Sequence, residues 1–319
     1  MKVIKQMVYG MATLCLAASM TARAAYPERE IRMVVPYGAG GSTDVAIRVL
    51  AKALEPHLGQ SIVVENRPGA QATLGPAYVA RQPADGYTIG VITMSTVAIA
   101  PHMVRTPYTL DDFSFIGGFA RYRYGLAVNA DAPYQTLQAF VDAARTQPMF
   151  FAVPGAPNNL AFFELANKYG AKLEQVLYKS GAEAVTAVAA GQAQATIQPP
   201  ADLMAQVDAG RIRLLASVSP ARWHDRPDMA TMREQGFDVA IESWAGLAVP
   251  RNTAPEIRAQ LEAALRQASE TPALRDRLNA LGMDPVWATG AEYERMMRDG
   301  YVTMRTRLQE AGMPVLPKE

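Results

Sequence analysis

Ile31-Arg32-Met33-Val34-Val35-Pro36-Tyr37-Gly38-Ala39-Gly40-Gly41-Ser42-Thr43-Asp44 is the stretch that decides the fold. A short apolar run ends in a proline and a glycine cluster. Residues 45–58 then carry Ile47, Leu50, Leu54 and Leu58 at helical spacing and stop at Gly59. This order reads as strand, loop and helix. Glycines let the backbone turn tightly and leave its N–H groups uncovered, while a helix start adds partial positive charge, so the bend is suited to an anion. A dinucleotide fingerprint on Gly38 and Gly40 would want glycine at Thr43, and no Gly-Lys-Ser/Thr follows for a P-loop. An ordinary turn, in which Ser42, Thr43 or Asp44 caps the helix, is the alternative.

Working outward, residues 61–65 read as a strand, 70–81 as a helix closed by Pro83, and 87–93 as a third strand after the turn Asp85-Gly86. Sequential β-α-β-α-β implies a parallel sheet covered on both faces. The pattern changes at 113–129, and the first crossing between lobes is placed near 121–125. Strand-helix alternation restarts beyond it, with helices at 137–145, 159–169, 182–190 and 201–209. Strands at 126–128, 149–153, 173–178, 193–198 and 212–217 suggest a second sheet. Residues 243–250 read as the returning strand, and helices at 255–270, 272–281 and 291–311 finish the chain, the last packing on the first lobe. The expected fold class is therefore α/β, with two lobes, each a mainly parallel sheet flanked by helices, joined by two crossing strands. Residues 25–122 with 246–319 make lobe 1, and 123–245 make lobe 2.

At the N-terminus, Lys2 and Lys5 precede an apolar stretch, 7–20, followed by Ala22-Arg23-Ala24. This reads as a signal peptide, residues 1–24, cleaved after Ala24, and the apolar run is shorter than the ~20 residues that span a bilayer. Leu14 before Cys15 argues against lipid attachment. Removal of 1–24 takes away Lys2, Lys5 and Arg23 and turns the formal charge of +1 to about −2, which gives no bulk attraction for nucleic acid or anionic lipid. It also removes Cys15, the only cysteine, so neither disulfide nor thiolate chemistry is expected.

Further loops follow other strand ends, where open α/β sheets bind ligands: Thr93-Met94-Ser95-Thr96, Pro154-Gly155-Ala156-Pro157-Asn158-Asn159, Lys179-Ser180-Gly181-Ala182 and Gln198-Pro199-Pro200. Each alone also fits an ordinary cap or turn, and the sharper reading is that several converge on one cleft. His57, His102 and His224 lie far apart, without metal-ligand spacing, so no metal site is expected. No Gly-x-Ser-x-Gly elbow occurs, although an exported hydrolase with a triad assembled by folding stays open. Asp111, Asp112, Glu292 and Glu294 read as solvated turn or helix positions. Tyr122, Tyr124 and Trp244 either face the cleft or fill a core.

Tyr26-Pro27, Ile31 to Tyr37, Gly40-Gly41-Ser42-Thr43-Asp44, Val63-Val64-Glu65-Asn66-Arg67-Pro68-Gly69-Ala70 and Ala84-Asp85-Gly86-Tyr87-Thr88 together resemble the Bug-type solute receptors of tripartite tricarboxylate transporters. Later echoes are Tyr178-Lys179-x-Gly181-Ala182, Ala190-Gly191-Gln192, Ala209-Gly210-Arg211-Ile212-Arg213, Ser243-Trp244-x-Gly246 and Ala248-x-Pro250, so the likeness covers the chain beyond residue 25. The resemblance implies a periplasmic, monomeric receptor that closes two lobes on a small carboxylate, without cofactor or catalysis. It also implies delivery of the ligand to a pair of membrane subunits. It carries ligand contacts onto Tyr37, Gly38, Ala39, Ser42, Thr43, Asp44, Thr93 and Ser95 in lobe 1, and onto Gly155, Ala156, Asn158, Lys179, Ser180, Gly181 and Ala182 in lobe 2. Gly40 and Gln198 join them from the loops already described. The expected ligand class is a di- or tricarboxylate or an aromatic carboxylate; the chain departs from many relatives at Pro154, Pro157, Asn159, Leu177, Ser180 and Gln198-Pro199, which counts against a typical amino-acid or citrate-like ligand and favours a mono- or dicarboxylate with an apolar body, such as an aromatic one. A sensory receptor feeding a two-component kinase would share every one of these features.

Overall fold

The computed structural model describes residues 26–317; the signal-peptide reading of 1–24 and its cleavage site lies outside them. Strand β1 (Ile31–Val35), helix α1 (Ser42–Leu58), β2 (Ile62–Asn66), α2 (Leu74–Val79) and β3 (Thr88–Thr93) open the chain. A π-helical turn (Ser95–Ile99), α3 (Ala100–Met103) and the long β4 (Phe113–Tyr122) follow. The chain then builds β5 (Gly125–Asn129), α4 (Leu137–Thr146), β6 (Met149–Val153), α5 (Asn158–Tyr169), β7 (Leu173–Leu177), α6 (Gly181–Ala189), β8 (Ala195–Gln198), α7 (Pro200–Asp208) and β9 (Ile212–Ser217). It returns through β10 (Trp244–Pro250) to α8 (Pro255–Glu270), α9 (Pro272–Ala280), β11 (Met283–Thr289) and α10 (Gly290–Glu310).

Two sheets result, of order β11-β4-β10-β3-β1-β2 and β7-β6-β8-β5-β9. Only β2-β1-β3 and β7-β6-β8 are parallel, because the strands that link the lobes, β4, β5 and β10, run against their neighbours. The sheets are thus more mixed than β/α alternation predicts. Helix α1 buries Ala46, Ile47, Leu50, Ala51, Leu54 and Leu58 on one face and ends at Gly59 in the left-handed conformation, the termination that a residue without Cβ favours. The expected helix 70–81 is cut to Leu74–Val79. Ala70, Gln71 and Ala72 have φ of 47°, 57° and 65°, a left-handed run that cannot continue into a right-handed helix.

Register fixes where the loops lie. Thr93 at the end of β3 pairs with Ala245, and Arg121 near the end of β4 pairs with Trp244. In the other sheet Gln198 at the end of β8 pairs with Gly125 at the start of β5. The carboxyl ends of the parallel strands in both sheets therefore meet at the crossing segment 122–125. Arg123, 1 % exposed, pins that segment. Its guanidinium bonds Asp225 and His224 Nδ1 from the second-lobe side and the Asn279 carbonyl from the first, with Asp284 Oδ1 3.5 Å from Nε.

Helix α10 packs on β4, as expected, but also reaches the second lobe. Arg307 donates to both oxygens of Glu164 on α5, at 2.9 and 3.1 Å, and to the Ala240 carbonyl. Glu164 is 4 % exposed, so removing its partner leaves a buried charge uncompensated. Arg307→Met is expected to lower stability by about 3 kcal/mol, measured as a shift of the urea midpoint, whereas Arg266→Met on the exposed Glu270 pair should change it by less than about 1 kcal/mol.

Candidate functional site

In the first lobe, the glycine loop is held by an internal carboxylate. Asp44 is 2 % exposed, and its Oδ2 accepts from the Gly40 N–H at 2.8 Å and from Arg48 Nε at 3.1 Å. Its Oδ1 accepts from Asn66 Nδ2 at 2.8 Å, and the same amide donates to the Tyr37 carbonyl at 3.0 Å. Asn66 can reach both because the register sets it beside Val35. Burial alone would raise the Asp44 carboxyl, but the bonds from Arg48, Gly40 and Asn66 outweigh it and hold the group below its ordinary value. Gly40 has φ +82°, a conformation that L side chains rarely adopt.

With Asp44 turned inward, the start of α1 is left open. Its N-cap residue is Gly41 and no side chain caps it. Thr43 does not cap either, since its hydroxyl lies 2.7 Å from that of Tyr122 at the crossing. The N–H groups of Ser42, Thr43 and Asp44 have no acceptor among the described residues, which is the orphan-donor state of a helix start. The ordinary-turn alternative, a side-chain cap, is thus not what the chain builds. Gly38, Ala39 and Gly40 are exposed in front of these donors, and a side chain at Gly38 would meet nothing within 4 Å. Tyr37 closes one wall: its hydroxyl lies 2.9 Å from Thr93 Oγ1, and burial pushes it up, offset in part by hydrogen bonds to Thr93 and Ser95.

The second-lobe loops assemble separately. Asn158 Nδ2 donates to the Ile197 carbonyl at 2.6 Å and to Gln198 Oε1 at 2.9 Å, and Gln198 Nε2 donates to Thr196 Oγ1. Gly155 has φ +141° with no atom near its missing Cβ, and Ala156 beside it is half-buried. Gly181 packs against Gln198 and Asp202. Ser180 caps α6, accepting the Glu183 N–H, while Glu183 takes the Lys179 N–H. Lys179 and Ala182 are exposed, with no contact that ties their side chains to the other loops. Tyr122 and Tyr124 stand between the halves with ring centroids 6.4 Å apart. Trp244 is instead core, 9 % exposed, its Nε1 donating to Glu242. Asn66, Arg48 and Asp202 are the structural contributors that the sequence reading does not single out. Of these only Asn66 carried a signal, inside Glu65-Asn66-Arg67-Pro68-Gly69.

A groove of about 400 Å³ lined by Asp111, Arg251, Arg258, Glu262, Glu294 and Arg298 lies at the opposite end of β4 from the crossing. It shares no residue with the loops above, and its charges are balanced, three basic against three acidic. The loops that end at the crossing differ: they carry backbone donors, hydroxyls and amides, with the Lys179 ammonium exposed beside them. Such a surface orients an anion through fixed dipoles rather than through a counter-charge.

The family model described as "Tripartite tricarboxylate transporter family receptor" matches residues 46–313. Protein BugT of Bordetella pertussis is 31% identical over 310 residues, 94% of each chain. A UPF0065 protein from the gbd 5' region of Cupriavidus necator is 31% identical over 299 residues, 90% of this chain and 89% of its own. Among solved structures, R. palustris Rpa4515 with adipate superposes with a TM-score of 0.83 at 27% identity, covering 92% of this chain and 100% of that one.

The Asp44 network has a pH signature. A carboxyl held low in the folded state stabilises it fully above the unfolded value, about 4, and the contribution is lost as pH falls through the folded value. Asp44→Asn should therefore be destabilised relative to the parent at pH 7, by about 1–3 kcal/mol for the broken buried bonds. The gap should narrow by pH 3 in urea titrations at the two pH values.

Proposed function

The chain belongs to the tripartite tricarboxylate transporter receptor family, and from that premise we propose that it is an exported receptor that captures a small carboxylate between its lobes. The observation that carries this reading is the open start of α1: three unpartnered N–H groups behind a glycine loop, at the crossing where both sets of loops meet. Adipate in the related R. palustris structure supports a carboxylate as the guest. The proposed contacts are those of the glycine loop, with Tyr37, Thr93 and Ser95 on one side and Gly155, Ala156, Asn158, Gly181 and Gln198 on the other. Asp44 acts as the internal strut rather than as a contact.

A ligand that touches both lobes favours the closed form only through its greater affinity for it. The closed receptor then presents a distinct surface to a pair of membrane subunits in the periplasmic space, acting as a monomer and without chemical turnover. No helix among the described residues is long and apolar enough to cross a membrane.

Thermal shift against a set of small carboxylates tests this. A ligand at a hundredfold excess over its Kd adds about 2.7 kcal/mol, a rise in Tm of about 5 °C or more for a chain of this size. Gly38→Leu directs a side chain into the open space before α1 without a clash, so it should keep the ligand-free Tm and lose the shift. A full shift in that variant would place the carboxylate elsewhere.

A further inference from the structure

Asn66 is the last residue of β2, and the parallel register sets it beside Val35, where β1 ends and the glycine loop begins. From there its amide reaches both ends of the bend. Nδ2 donates to the Tyr37 carbonyl at 3.0 Å and to Asp44 Oδ1 at 2.8 Å, and Oδ1 accepts from Arg48 Nη2 at 2.9 Å. Arg48 in turn gives Nε to Asp44 Oδ2, the oxygen that takes the Gly40 N–H. Asn66, Arg48 and Asp44 thus close a ring of hydrogen bonds behind the loop, and one amide fixes the spacing between residues 37 and 44.

The partners around that amide are two acceptors and one donor. A carboxamide answers all three, whereas a carboxylate has no donor and an ammonium no acceptor. A carboxylate here would also stand against Asp44, like charge to like charge, with Arg48 the cation beside both. Glu65 and Arg67, on either side of Asn66 in the chain, pair with each other. Both N–H groups of the amide are already committed to the loop, so Asn66 has no donor left for an anionic guest and acts on it only through the backbone it holds. A loop released at this point must be ordered when the guest binds, which weakens binding.

Resting on the carboxylate-binding reading above, we propose that Asn66 is a positioning residue that sets affinity for the guest without touching it. From behind the loop it holds the backbone in the shape that presents the N–H groups of Ser42, Thr43 and Asp44 to a carboxylate.

Isothermal titration with benzoate and with unbranched α,ω-dicarboxylates of four to eight carbons tests this. For the probe that the parent binds best, Asn66→Asp should weaken binding by about tenfold or more at pH 7.5, the effect of losing hydrogen bonds to a charged partner, with a cooperative ligand-free melting transition as the check on folding. Acidification to pH 5.5 should narrow its gap to the parent, because Asp44 raises the new carboxyl and protonation restores one donor. Asn66→Ala introduces no titrating group, so its gap should stay constant between the two pH values. Binding by Asn66→Asp that matches the parent at pH 7.5, or the same pH profile in both variants, overturns the proposal. If Gly38→Leu abolishes binding while Asn66→Asp binds as the parent does, only this inference fails. If Gly38→Leu leaves binding intact, or the parent binds none of the probes, the site reading itself fails and this inference with it.

Discussion

The glycine loop keeps its shape because one buried carboxylate is bonded into it from three directions. Asp44 takes the Gly40 N–H, the Asn66 amide and the Arg48 guanidinium, and in doing so turns the loop's only negative charge away from the mouth. Without that inward turn the carboxylate would lie near the helix start and compete with any anionic guest for the same N–H groups. The arrangement separates two roles on adjoining residues of one segment: a side-chain strut, Asp44, that fixes the backbone, and an unfilled row of N–H donors, Ser42 to Asp44, that the fixed backbone presents.

That row matters only because it faces something. Strand register brings the ends of β1, β3 and β8 to the short segment 122–125, and Arg123 holds this segment from both lobes at once. A buried guanidinium surrounded by acceptors is costly to leave half-paired, so Arg123 holds the crossing to both lobes. The Glu164–Arg307 pair ties the lobes a second time, from the C-terminal helix. Two such ties join the lobes at separate places, one at the crossing and one at the C-terminal helix.

Much of this architecture is written in periodicity. The strands at 31–35, 149–153 and 212–217 carry apolar runs bounded by turn residues, and their limits match the structure. Where sequence reading departs, a local cause is visible. Residues 70–72 contain only Ala and Gln, which say helix, yet the backbone turns left-handed there before Thr73 bonds back to Ala70. Strand β11 carries Pro285 and a register shift, both permitted because it is the edge of its sheet, and both mask its alternation. The glycine loop was legible as a bend between strand and helix, but the choice between cap and open terminus was not. Ser42, Thr43 and Asp44 all have capping chemistry, but Tyr122 diverts Thr43, and the Gly40 N–H, Arg48 and Asn66 together divert Asp44.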